Sequence, residues 1–334
     1  MAAAKRVTIT DIARIAGVSP GAVSFALNGK PGVSEQTRAR ILQVAREQHW
    51  RPSQVARSLV GARANAVGLA LNRPARSLGT EAFFTDLIAG IQQGLSNDRV
   101  GLQLRLVSSL EEELETHRQW HAAHQVDGIL IIDPLVDDPR VEALRSLQVP
   151  TVLVGSHAPA DSALWVDDSA TAATLFGHLT TLGHTRIAYV AGPATLEHTR
   201  LRAAVLEQLI SGATFNTDFS PAAAGEVTRR LLGAADRPTA IVYDNDVMAV
   251  AGLRTAQEMG MEVPGEVSLA SFDDSIIAAL VRPSLTAMTR DTFEFGERAA
   301  RLLLRQIQSD AASPGEEGSA PVLTVRESTG VPRH

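Results

Sequence analysis

Short apolar runs alternate with helical patterns over most of the chain, and this alternation restricts the fold more than any other feature. The runs are rich in Val, Ile and Leu, which is typical of buried strands. They cover Ala66–Leu71, Leu102–Val107, Gly128–Ile132, Thr151–Val154, Ile187–Ala191, Ala240–Tyr243 and Val267–Phe272. The helical patterns between them include Phe83–Leu95, Thr171–Leu182, Arg200–Ile210 and Val247–Met259. This order predicts parallel sheets covered on both faces, arranged as two lobes of about five strands each.

Polar residues and glycines follow these runs, at the point where each predicted strand ends. They are Asp133, Gly155, Gly192, Asp244-Asn245-Asp246 and Asp273-Asp274. The carboxyl ends of parallel strands meet at one edge of a sheet, and open α/β sheets bind their ligands there. The pattern therefore predicts a ligand cleft, although Asp246 and Asp274 can equally be helix caps.

The first fifty residues show a different pattern, made of helix caps and turn residues. Thr10-Asp11 can cap a first helix that Gly17 ends, because glycine tolerates a left-handed conformation. Ser19 can cap a second helix with Pro20 at its first position, where the missing N–H is no loss. After a glycine-rich loop, Ser34 can cap a third helix. Three short helices with a tight turn between the first two predict a helix-turn-helix domain that binds DNA.

The charge of the chain is divided unevenly between this head and the rest. Residues 1–63 contain ten Lys and Arg against three Asp and Glu, a net charge of +7, whereas the whole chain carries −6. The remaining residues therefore carry −13. A basic head on an acidic body is expected of a nucleic-acid-binding head, and a solvated helical bundle with surplus arginine is the alternative.

The head resembles that of LacI/GalR-family bacterial transcription repressors. The matching segments are T-I-T-D-I-A-x-x-A-G-V-S, V-S-x-A-L-N-G, V-S-x-x-T-R-x-x-I and R-P-S-Q-V-A-R-S-L, all within residues 8–59. The resemblance implies phosphate contacts by Thr8, Ser19, Ser24, Asn28, Ser34 and Thr37, and base reading by Pro20, Gly21 and Phe25. Thr10, Ala56 and Arg57 complete the implied DNA-contact set. Pro and Gly offer no side-chain hydrogen bond, and Phe offers only an apolar contact. We therefore expect few direct contacts between these side chains and the base edges.

The segment after the head predicts a short hinge helix. Pro52 breaks the preceding helix and Ser53 can cap a new one of about two turns, which is marginal alone in water. In the family this helix lies in the minor groove, so the resemblance implies that Leu59 wedges between base pairs at the operator centre. The alternative is that Leu59 is a core residue.

The resemblance continues through the body, whose family counterpart is similar to periplasmic sugar-binding proteins. Three of the matching segments are L-G-H-x-x-I followed by G-P at residues 182–193, N-D-x-M-A at 245–249, and the strand at 267–274. A fourth is Arg326-Glu327-Ser328-Thr329, which matches the closing strand of the family. By resemblance, Arg202, Asn245 and Asp273 contact the effector, and Phe84, Trp165 and Asp168 lie near the cleft mouth. Val205 departs from the usual glycine of the family.

Together these features predict an α/β protein with a three-helix helix-turn-helix head, a hinge helix and a two-lobed effector domain like that of periplasmic binding proteins. The expected boundaries are 1–50 for the head, 51–63 for the hinge and 64–334 for the effector-binding and dimerisation domain. The lobes are expected at about 64–163 with 291–320, and about 164–290 with 321–334. The implied assembly is a homodimer on a pseudo-palindromic operator of double-stranded DNA.

The mixture of carboxylate, amide and guanidinium in the predicted cleft suits the hydroxyls of a sugar. A purine or a small organic acid is the alternative effector. A solute-binding protein is the less favoured alternative for the whole chain.

Nothing in the sequence predicts catalysis, so we expect no enzyme activity, no cofactor and no metal. The chain contains no G-x-S-x-G, Walker or H-E-x-x-H pattern. His117, His121 and His124 can share one helix face as a zinc or nickel site, but the pattern favours a solvated polar face over a metal site. There is no cysteine, no apolar leader and no run of eighteen apolar residues, which predicts a cytoplasmic, nucleoid-associated protein without membrane contact.

Overall fold

The computed structural model describes residues 7–27, 30–48, 50, 63–73, 79–156, 162–210, 212–309 and 314–333. The chain divides into two compact units, Met1–Ala64 and Asn65–His334. We call the first unit the head and the second the body.

Three helices form the head: α1 (Ile9–Ala16), α2 (Pro20–Leu27) and α3 (Glu35–Glu47). The predicted cap of α1 is wrong by two residues, because Thr8 and Asp11 form a reciprocal capping box in which Thr8 is the N-cap. Gly17 ends α1 with φ of 65°, as predicted. Ser19 Oγ accepts a hydrogen bond from the Ala22 amide at 3.2 Å and so caps α2.

The head has its own apolar core. Ile12, Val23 and Ile41, one from each helix, are fully buried and pack together. Their burial fixes which face of α2 points outward.

The first lobe of the body contains a six-stranded sheet in the order β11-β5-β4-β3-β1-β2, in which every pair is parallel. Its elements are β1 (Ala66–Asn72), α4 (Ala82–Ser96), β2 (Gly101–Val107), α5 (Leu110–Ala122), β3 (Gly128–Ile132), α6 (Pro139–Ser146), β4 (Thr151–Val154), β5 (Ala163–Trp165), α12 (Thr292–Ser309) and β11 (Glu316–Glu317).

The second lobe contains a sheet in the order β12-β10-β9-β8-β6-β7, in which β10 and β12 are the antiparallel pair. Its elements are α7 (Asp168–Thr181), β6 (Ile187–Ala191), α8 (Glu197–Ile210), β7 (Ala213–Asn216), α9 (Pro221–Leu232), β8 (Ala240–Tyr243), α10 (Asp246–Glu258), β9 (Ser268–Ser271), α11 (Ile276–Leu280), β10 (Thr286–Thr289) and β12 (Val322–Thr324).

The chain passes between the lobes after β5, after β10 and after β11. Each crossing lies at the same side of the sheets, so the carboxyl ends of strands from both lobes face one cleft.

Helices α4 and α12 pack against each other at unusually close range, because glycines lie at their contact. A Cβ added at Gly90 would lie 2.0 Å from the backbone oxygen of Phe293, and one at Gly296 would lie 2.3 Å from that of Leu87. The two helices cover one face of the first sheet, where Leu87, Ile91 and Leu303 are fully buried.

Within the described ranges, no helix combines the length and apolar character needed to cross a membrane.

Candidate functional site

A cavity of about 60 Å³ lies in the cleft between the two lobes. Residues from both lobes line it. They include Arg73, Glu81, Phe83, Phe84, Asp133, Asp168, His198, Arg202, Phe219, Asp244, Asn245, Asp273, Arg290 and Phe295.

Arg202, on α8, is held in the cleft wall by two aspartates. Its Nε and Nη2 donate to Asp168 Oδ1 at 2.9 and 2.6 Å, and its Nη1 donates to Asp244 Oδ1 at 2.6 Å. The guanidinium also lies over the Phe272 ring, 4.4 Å from its centroid. With a side chain that is only 6% exposed, Arg202 is a fixed donor rather than a mobile one.

Asp244, directly after β8, collects donors from three further groups. The Tyr189 hydroxyl lies 2.5 Å from Oδ1, and the Gly192 amide and Thr199 hydroxyl donate to Oδ2 at 2.7 and 3.3 Å. Burial alone would raise the pKa of Asp244, but the Arg202 guanidinium and these hydrogen bonds hold it below its usual value. Asp244 therefore remains ionised and fixes Arg202.

Asn245 offers the cleft an unpaired donor. Its Oδ1 accepts from the Met248 amide at 2.8 Å and caps α10, which assigns the other atom as Nδ2. Nδ2 is buried without a hydrogen-bond partner in the described part of the chain. Because an unpaired buried donor is costly, this geometry is typical of a group that a ligand satisfies.

Arg73, after β1 of the first lobe, and Arg290, after β10 of the second, add cations to the cleft and were not predicted from the sequence. Arg73 Nη2 donates to Asp133 Oδ2 at 2.6 Å, and Arg290 Nη2 donates to Asp273 Oδ1 at 2.9 Å. The Nε atoms of both arginines are buried and unpartnered within the described residues. Arg73 also lies over the Phe219 ring, at 4.3 Å from its centroid.

Glu81, just before α4, is another cleft residue that was not predicted from the sequence. It is 8% exposed and its side chain makes no capping hydrogen bond. Burial raises the pKa of its carboxyl to about 7, and the nearby carboxylates of Asp133 and Asp273 add to the rise while Arg73 opposes it.

Backbone hydrogen bonds join the two lobes beside the cleft. The Val136 amide donates to the Thr195 carbonyl at 3.0 Å, and the Glu197 amide donates to the Pro134 carbonyl at 2.9 Å. We call residues 133–138 the bridge loop. Asp133, at its start, has a positive φ of 51° and is a strained residue of the cleft. The loop therefore contains a strained cleft residue as well as the two backbone hydrogen bonds to the second lobe.

Of the predicted effector residues, Phe84, Asp168, Arg202, Asn245 and Asp273 line the cleft. Trp165 does not line it. Strand side chains alternate, so Leu164 and Val166 pack in the core that contains Phe84, while Trp165 packs with the cluster on the other face of the sheet.

Several other polar residues have structural roles. Asp274 binds Arg326 through two hydrogen bonds of 2.9 and 2.7 Å, and Val205 packs in the second-lobe core. No group of His, Asp and Glu that could hold a metal ion is found among the described residues. His117 is buried, and burial lowers its pKa to about 4.

The predicted DNA contacts of the head are mostly on its surface. Thr8, Thr10, Ser19, Pro20, Gly21, Phe25 and Ser34 are exposed, and Ser24 and Thr37 are half-buried. Thr8, Ser19 and Ser34 each lie at the start of a helix, where amide groups and the helix dipole attract phosphates. Asn28, Ala56, Arg57 and Leu59 lie outside the described residues.

Comparison with known proteins identifies the family. The profile for bacterial regulatory proteins of the lacI family matches residues 8–53, and the profile for a periplasmic binding protein-like domain matches residues 176–329. The HTH-type transcriptional regulator CelR of Thermobifida fusca is 31% identical over an alignment of 341 residues including gaps, and the alignment covers 97% of this chain and 98% of CelR.

Two solved structures show the same architecture. The CelR–cellobiose complex matches with a TM-score of 0.71 and 27% identity, over 97% of this chain and 100% of that chain. The lac repressor dimer bound to operator and the anti-inducer ONPF matches with a TM-score of 0.83 and 25% identity, over 98% and 100%.

The chain belongs to the LacI family of bacterial regulatory proteins. It is a DNA-binding transcriptional regulator and not an enzyme, because the family is composed of such regulators. The predicted family, two-lobed α/β fold and regulatory function are confirmed.

Proposed function

We propose that this regulator is a repressor whose operator binding is controlled by a sugar bound between the two lobes. The observation that carries the proposal is a set of buried donors in the cleft that have no partner among the described residues: Asn245 Nδ2, Arg73 Nε and Arg290 Nε. They lie beside carboxylates that have acceptor atoms to spare, since Arg290 uses only one oxygen of Asp273. A hydroxyl group both accepts and donates, so a sugar satisfies both kinds of group.

The aromatic residues of the cleft support the same ligand class. Phe83 and Phe84 come from the first lobe and Phe219 from the second, and all three line the cleft. Rings of this kind cover the apolar face of a sugar. The relative CelR is described in complex with cellobiose, which agrees with this assignment.

The two alternative effectors fit less well. A small organic acid would need Arg202, whose guanidinium is already held by Asp168 and Asp244 at 2.6 Å. A purine could stack between Phe84 and Phe219, but the Arg73 guanidinium lies near both rings, 5.4 and 4.3 Å from their centroids. The solute-binding alternative has no use for a helix-turn-helix head.

For DNA, we assign the contacts to the residues named from the sequence. The exposed hydroxyls of Thr8, Ser19 and Ser34 hold phosphates, together with Thr10, Ser24, Asn28 and Thr37. Pro20, Gly21 and Phe25 face the base edges. Ala56, Arg57 and Leu59 act in the minor groove. The domain boundaries are those given from the sequence: head 1–50, hinge 51–63 and effector domain 64–334.

The active species is a homodimer on a pseudo-palindromic operator, acting in the cytoplasm. An apolar patch on α11 supports a self-interface, since Ile276 is 76% exposed and Leu280 is 68% exposed. Sedimentation of Leu280→Asp beside the wild type tests this assignment, and a dimer of unchanged stability would contradict it.

Two measurements test the function. Operator selection with purified protein gives a DNA probe, and calorimetry against mono- and oligosaccharides, nucleobases and carboxylic acids gives the effector class. We expect a sugar to bind and to change operator affinity in a gel-shift titration. Binding of a nucleobase or acid, with no sugar bound, would overturn the sugar assignment but not the regulator.

A further inference from the structure

The cleft contains more carboxyl groups than guanidinium groups. The described lining has five carboxyl groups and three guanidinium groups. Each arginine already has a carboxylate partner: Arg73 has Asp133, Arg290 has Asp273, and Arg202 has Asp168 and Asp244. The carboxyl group that remains is that of Glu81.

Glu81 has no ion pair and no side-chain hydrogen bond in the described part of the chain, although it is 8% exposed. A buried carboxylate without a partner is costly, so it either takes up a proton or finds a cation. The acidic groups of Asp133, Asp246 and Asp273 act on it electrostatically, and Arg73 is the cation that acts against them. The local field around Glu81 therefore favours a positive ligand group.

We propose that the effector is an amino sugar, whose ammonium group pairs with Glu81 while its hydroxyls satisfy Asn245, Arg73 and Arg290. This inference rests on the interlobe cleft being the effector site. An ammonium group supplies donors to Glu81 and reduces the excess negative charge of the cleft. A hydroxyl of a neutral sugar can donate to Glu81 but leaves its negative charge uncompensated, and a carboxylic acid increases the excess negative charge.

The experiment is calorimetry at pH 7 with matched pairs of ligands. D-glucosamine, D-galactosamine and the β-1,4 glucosamine dimer are compared with D-glucose, D-galactose and cellobiose, and N-acetyl-D-glucosamine serves as the uncharged amide. We expect one amine to bind on the order of tenfold or more tightly than its neutral and acetylated counterparts. Glu81→Gln should abolish this preference, and Glu81→Asp should retain part of it.

Glu111→Gln, on the exposed side of α5, is the matched control and should leave the preference intact. If a neutral sugar binds as tightly as its amine, or if the preference persists in Glu81→Gln, the amine assignment is wrong and the sugar assignment survives. If no sugar of either series binds, both assignments are wrong.

Discussion

Arg140 donates through Nη1 to Glu113 Oε1 at 2.8 Å, and both side chains are almost completely buried. The same guanidinium donates to the Asp133 carbonyl and to Asp138, which in turn accepts from the Leu135 amide. Arg140 therefore binds both ends of the bridge loop, at Asp133 and at Asp138. These contacts fix the backbone of a loop that lines the effector cleft and bonds to the second lobe.

Removing that support should unfold the first lobe more easily. Arg140→Met leaves the buried carboxylates of Glu113 and Asp138 without their cation, so we expect a loss of about 3–5 kcal/mol in the free energy of unfolding. Arg118→Met is the control, because its ion pair with Glu115 is more than half exposed and should matter by less than about 1 kcal/mol. Urea denaturation measures the free energy of unfolding of both variants. Equal losses in the two variants would contradict the role of Arg140 in fixing the bridge loop.

Asn245→Ser separates ligand binding from stability. Serine caps a helix as well as asparagine does, so α10 should keep its stability, but the Nδ2 donor is lost. We expect the effector to bind about tenfold to a hundredfold more weakly, as measured by calorimetry. Unchanged affinity would mean that the ligand does not reach Asn245.

Glu81 should make stability depend on pH. Its pKa is about 7 in the folded protein and 4.5 in its ordinary state, so the folded form binds more protons between these values. The contribution of Glu81 to the free energy of unfolding is therefore most favourable below pH 4.5, and this stabilisation is lost as the pH rises to about 7. Relative to the wild type, Glu81→Gln should gain up to about 3 kcal/mol between pH 5 and pH 8. Parallel urea titrations check this, and a constant difference would contradict it.

Gly90→Ala should disrupt the contact between α4 and α12. The added methyl group has no space beside the Phe293 carbonyl, so the helices must separate, at a cost of about 1–3 kcal/mol. Gly177→Ala, inside α7 with nothing within 4 Å, should instead stabilise by about 0.5–1 kcal/mol. Thermal unfolding of the two variants should move in opposite directions.

Phe25 is 44% exposed on α2 and should read a thymine methyl group. Replacing thymine by uracil at one position in each half of the selected operator should weaken binding about threefold to tenfold. Phe25→Ala should bind both DNAs equally. A wild-type protein indifferent to uracil at every operator position would exclude this contact.

The sequence predicted the parts of the fold that local chemistry determines. Caps such as Ser19 and Ser34 and the left-handed Gly17 define the head, and apolar runs define the central strands. Five of the described strands, β5, β7, β10, β11 and β12, were not predicted, because they are only two to four residues long and their pairing depends on distant partners. The expected closing strand at 326–329 is wrong, since the last described strand is β12 (Val322–Thr324) and residues 326–329 follow it outside any strand.

Some residues of the cleft could be predicted from the sequence and others could not. Asp244, Asn245 and Asp273 follow strands, so their convergence could be predicted from topology. Arg73 directly follows β1, so the same rule applies to it although it was not named from the sequence. Glu81 could not be predicted in this way, because it precedes a helix and follows no strand. Trp165 was assigned to the cleft although strand alternation turns it away.

The two interlobe bonds of the bridge loop also have a kinetic meaning. They use backbone atoms of Pro134, Val136, Thr195 and Glu197, so ordinary side-chain replacements leave them intact. Separation of the lobes breaks both bonds, so each of them adds to the free energy required to open the cleft and release a ligand. The time for which such a regulator keeps responding after its signal has gone from the cell then depends on these two bonds as well as on the contacts that the signal molecule makes.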